Sequence, residues 1–153
     1  MLRSTFGASN VFICGFGTFT GEVTAAREWG DEPETFPLSP AEEGSLSHVL
    51  HRALPAVRAR LVTDGGEPAS SDGSETANAL ALLLRGDDDT ERQAVLRAAL
   101  SQPRRQRAVG VCYRRGAQEA SAHYFQATLA EQVDCWVHVD RTTALQPLRA
   151  AVP

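Results

Sequence analysis

The stretch "VFICGFGTFTGE", Val11–Glu22, decides how the rest of the chain is read. Its first four residues are large, apolar or sulfur-bearing, which predicts a buried strand. Three glycines and two phenylalanines follow, closed by Glu22. Glycine clusters mark turns, or places where another group comes close to the backbone. The stretch therefore predicts a first strand running into a glycine-rich turn that carries Phe16 and Phe19.

A chain of 153 residues is long enough to bury a core as one domain. With 42% hydrophobic and 22% charged residues, its composition is that of a globular protein rather than a disordered one. All 15 basic residues are arginine, and net charge is −4. No basic stripe runs along the chain, so nucleic acid is not an expected partner; the "PRRQR" cluster at 103–107 reads as a solvated loop. No apolar run reaches the roughly 20 residues that span a bilayer, and the N-terminal arm lacks the apolar centre of a secretory signal. Neither a membrane span nor a secretory signal is expected, while the arginine, serines and threonine of the acid-free N-terminal arm leave a transit peptide open. Cys14, Cys112 and Cys135 are odd in number and lack metal-type spacing. They read as free thiols in a reducing, cytoplasmic setting, with no metal and no cofactor.

Beyond the opening motif, residues 22–38 are acidic and irregular. "SPAEEGSLSHVLHRALPAVRARLV" then predicts an amphipathic helix. Ser39 would cap it, Pro40 would take its first position, and Leu46, Val49, Leu50, Ala53, Leu54, Val57 and Leu61 form its apolar stripe. Pro55 should kink or divide it. Residues 63–74 form a long loop of turn formers, of a length often tied to function. "ETANALALLLRG" predicts a short helix capped by Ser74, and "DDDTERQAVLRAALSQP" a second one stopped by Pro103. "RAVGVCYR", 107–114, and "VDCWVHVD", 133–140, read as strands. Residues 117–131 read as a helix, with a strand as the alternative, and the chain ends in a short helix or tail. The order of elements predicts a single α/β domain over 1–153, a three-layer α/β/α sandwich with a mostly parallel sheet.

The opening motif resembles the N-terminal signature of the pyroglutamyl peptidase I family, a first strand entering a T-G-F-x-P-F-G-G-E turn. Gly15, Phe16, Phe19, Gly21 and Glu22 match it; Cys14, Thr18 and Thr20 depart from it. The resemblance implies that Phe16 and Phe19, with Gly15, hold a flat pyroglutamyl ring. Further along, Glu75 and Asn78 stand where the family has a site glutamate and asparagine. His138, in "CWVHVD", stands where it has the catalytic histidine, with Asp140 in place of proline. Cys112 lies 26 residues before His138, near the separation expected of the nucleophile. An alternative alignment of "SAHYFQATL" puts Ser121 there instead.

Chemically, an imidazole can draw off a thiol proton to make an attacking thiolate, with a carboxylate orienting the ring. Glu75, Asp134 and Asp140 all qualify for the orienting part. The resemblance implies a cysteine hydrolase that removes an N-terminal pyroglutamyl group from a small peptide. The alternative is a non-catalytic scaffold or interaction subunit with a protein partner, in an oligomer or larger assembly. Purely structural readings also fit these residues. Cys112 suits a valine-rich core strand, His138 alternates with Trp136 on a half-buried one, and His48, His51 and His123 lie on helical segments as surface or structural residues.

Overall fold

The computed structural model describes residues 2–63, 78–85 and 91–146. Strand β1 runs unbroken over Cys14–Ala25 and β2 covers Glu34–Leu38; helix α2 is Leu46–Thr63, preceded by a short α1, Leu2–Phe6. Then come β3 (Ala79–Leu83), α3 (Glu91–Leu100), β4 (Arg104–Arg107), α4 (Glu119–His123), β5 (Tyr124–Ala127), α5 (Leu129–Gln132) and β6 (Cys135–Thr142).

The expected glycine-rich turn is strand. Gly15 and Gly17 are there for a neighbour on the same sheet face: a Cβ at either would lie 2.5 Å from the indole of Trp136. Trp136 is buried at the centre of the main core with Leu46, Leu50, Leu84, Leu100 and Leu129. The glycines thus open a slot for the largest side chain of that core. Gly21 is different. It sits at φ +126°, where a Cβ would collide with the Thr142 backbone. At this point β1 passes from pairing with β6 to pairing with β2.

The main sheet has the order β2-β1-β6-β3. β1 and β6 are parallel, with Gly17 beside His138; β2 and β3 pair antiparallel with β1 and β6. The fold is α/β, but the sheet is mixed rather than mostly parallel. The reason is local. Residues 26–33 close β1 and β2 as a hairpin, and the segment expected as a helix after Ser74 contributes the edge strand β3, whose Leu80 pairs with His138. In "ALALL" the alternation of small and large apolar residues matches a pleat, not a helical stripe. β4 and β5 make a separate antiparallel pair.

Helix α2 shows the amphipathic pattern at Leu46, Leu50 and Leu54, which are buried, although it begins at Leu46 rather than after Ser39. The backbone N–H of His48 donates to the Ser45 hydroxyl at 3.4 Å, so Ser45 is the cap. Pro55 lies inside one continuous helix. Residues 117–131 are both expected things in turn: helix α4, strand β5, helix α5. Only Arg107 of the expected strand 107–114 lies in a strand. The expected functional loop at 63–74, apart from Thr63, lies outside the described residues, as does most of the C-terminal tail. Among the described residues, no helix is long and apolar enough to cross a membrane.

Candidate active site

Residues i and i+2 of a strand share a face, and on β6 this puts Trp136, His138 and Asp140 on the side that meets α2. His138 is fully buried. Its Nε2 lies 3.4 Å from Asp140 Oδ1, and its Nδ1 has no partner among the described residues. Burial pushes its pKa below the ordinary 6.5, although Asp140 pulls the other way, so the ring is neutral at pH 7.

From α2, His51 reaches the same carboxylate, its Nδ1 2.7 Å from Asp140 Oδ1. The ring of Phe19, on β1, stacks on His51 with centroids 3.8 Å apart and planes within 4°. His48, one helical turn earlier, tilts toward Phe19 at 6.4 Å, and its Nδ1 accepts the backbone N–H of Gly44. Asp140 is held from behind. Its own N–H donates to the Asn78 carbonyl at 2.6 Å, while the Asn78 amide bonds both the N–H and the carbonyl of Arg141.

One carboxylate therefore serves two imidazoles. The inner one is sealed and neutral, whereas the outer one is partly open to solvent. Asp140 on Nδ1 fixes the His51 tautomer and directs Nε2 away from the carboxylate, the arrangement that makes a histidine a general base. Among the described residues no group of His, Cys, Asp and Glu is placed to hold a metal ion.

The residues expected to form a cysteine–histidine site are not brought together. Cys112 bridges Ala26, beyond the far end of β1, whereas His138 pairs with Gly17. From Gly17 to Ala26 the strand runs on the order of 30 Å. Ser121 is exposed on α4, its hydroxyl donating to the Gln118 carbonyl. Glu75 lies outside the described residues. Phe16 and Phe19, an odd number apart on an extended strand, face opposite sides of the sheet: Phe16 is 69% exposed, and only Phe19 joins the histidines. Gly15 accommodates Trp136, and Asn78 acts through the backbone of β6. Asp134 takes no part. It accepts the Ile13 N–H and pairs with Arg3 and Arg85 at the start of β6.

Reading His48 and His51 as surface or structural residues missed the outer half of the site. Two signals pointed to it: histidines three apart on one helix face, and a His-x-Asp pair on one strand face.

The imidazole–carboxylate pair thus lies on a mixed α/β sheet under α2. The chain belongs to the erythromycin esterase family, whose model matches residues 1–142. It is similar in fold to a succinoglycan biosynthesis protein of known structure, at 18% identity and a TM-score of 0.57 over 93% of this chain and 26% of that one. A Bacillus cereus protein is similar at 9% identity and a TM-score of 0.55, covering 92% of this chain and 27% of that one. The chain thus spans about a quarter of the length of these solved structures. The family match overturns the resemblance to pyroglutamyl peptidases, and with it the cysteine peptidase reading. Of its matching residues, Gly15 makes room for Trp136 here, and Phe16 and Phe19 lie on opposite faces of β1.

Proposed function

We propose that the chain carries part of an ester-hydrolysing active site, in which His51 is the general base and Asp140 orients it. His51 Nε2 takes a proton from water, the resulting hydroxide adds to the ester carbonyl, and the imidazolium returns the proton to the departing alkoxide. Asp140 stabilises the imidazolium without becoming protonated. Buried and neutral, His138 keeps the carboxylate from turning away from His51, and Phe19 holds the plane of the outer ring. The observation that carries this reading is the 2.7 Å contact between His51 Nδ1 and Asp140 Oδ1 on the sheet face under α2. Family membership supports the ester as substrate class, and the lactone of erythromycin is the first natural ester to try.

The test is hydrolysis of 4-nitrophenyl butyrate and of erythromycin by the purified chain and by His51→Ala. General-base catalysis contributes about 10²–10⁴-fold, so the variant should lose at least about a hundredfold in rate. Equal rates in the two proteins would end the proposal.

A further inference from the structure

A cavity of about 450 Å³ opens on the sheet face opposite the histidines. Its apolar walls include Phe16, Val23, Leu38, Val109, Val139 and Leu145. The volume is within the range of small-molecule sites, and what matters for its ligand is which polar groups are left over.

Among the described residues, the one cation in its wall is spent. Arg107 is buried, giving its guanidinium to Glu119 and to the carbonyls of Ser39, Thr18 and Phe19. The hydroxyls of Thr18, Thr24 and Thr142 donate to the carbonyls of Thr20, Leu145, and Thr20 or Glu22. The acceptors are not spent. Among the described residues the Glu22 carboxylate has no ion-pair partner and the buried side-chain carbonyl of Gln106 has no hydrogen-bond partner.

We propose that this cavity binds an apolar molecule carrying a protonated amine. The hydrocarbon body fills the space over Phe16 and the valines, and the ammonium group gives its N–H donors to Glu22 and Gln106. A carboxylate at the mouth of an apolar hollow attracts a cation and repels an anion of the same shape. The proposal is independent of the hydrolytic reading, since the cavity and the histidines lie on opposite faces of β1 and β6.

The test uses two probes with one apolar body and opposite charges, 1-adamantanamine and adamantane-1-carboxylate, titrated into the ¹⁵N-labelled chain. The amine should bind at millimolar concentration and shift the amide signals of Val23, Val109 and Val139. It should bind about two- to fivefold more tightly than the carboxylate, the size expected of a partly exposed charge pair. Glu22→Gln, an exposed substitution, should abolish the preference while leaving the spectrum of the free protein intact. Gln106→Leu should weaken the amine about twofold or more. Equal affinity for the two probes, a preference that survives Glu22→Gln, shifts confined to other parts of the chain, or no binding by the amine would each overturn the proposal.

Discussion

Gly15 and Gly17 show how much one absent Cβ decides. Each leaves a gap that the Trp136 indole fills, with 2.5 Å to spare for an atom that needs well over 3 Å. Gly17→Ala should therefore destabilise the chain by about 1–3 kcal/mol, the usual cost of overpacking, as read from a urea midpoint. Combined with Trp136→Leu, which makes room, it should cost less than the sum of the two single changes. The same residues explain why the opening stretch misled. A glycine that hosts a tryptophan from a strand about 120 residues away is written like a glycine that makes a turn, and only the partner tells them apart. His138 stands out as a site residue only through the resemblance that the family match overturns; its strand alone gives it a structural place. For His51 the local patterns, two histidines on one helix face and a His-x-Asp pair on one strand face, do not say that the two faces meet; the tertiary contact with Asp140 does.

Among the elements, those carrying their own periodic signal were legible: α2 by its apolar stripe, α3 by its length and acidic start, and β6 by its aliphatic and aromatic run. Those set by context were not. β3 is short and apolar on both faces, and α4, β5 and α5 crowd three elements into the 14 residues from Glu119 to Gln132, too few for any period to emerge. What ties this irregular region to the main sheet is Arg107 of β4, which bonds the β1 carbonyls of Thr18 and Phe19 and pairs with Glu119 of α4 at 2.8 Å. Both side chains are nearly sealed from solvent. Arg107→Ala leaves Glu119 buried without its partner, and chemical denaturation should report a loss of about 3–5 kcal/mol. The paired change Arg107→Met with Glu119→Leu should recover much of that loss, because it leaves no charge uncompensated.

Two buried groups, His138 and Asp134, tie the stability of the whole molecule to pH. His138 is held below the ordinary 6.5, first by burial. As pH falls past about 6.5 the unfolded imidazole takes up a proton that the folded one resists, so its contribution is intact above that value and is lost below it. Burial raises the carboxyl of Asp134, but the Ile13 N–H together with Arg3 and Arg85 outweighs it, and the net shift is below 3.8. Its contribution is present above that value and fades as pH drops through the lower folded one. Stability measured by urea should thus decline in two stages on acidification, and His138→Gln should flatten the first, near-neutral one. A decline of unchanged slope in that variant would assign the loss to other groups.

At this same scale the central claim is that one carboxylate, gripped through Asn78 at the edge of the sheet, aims the His51 imidazole at an ester. The measurement that bears on it most directly is steady-state hydrolysis of 4-nitrophenyl butyrate by Asp140→Asn beside the unaltered chain, with kcat and KM separated. The account predicts kcat lower by at least about a hundredfold with KM nearly unchanged, because an amide neither fixes the tautomer nor balances the imidazolium. A kcat retained in Asp140→Asn would contradict it.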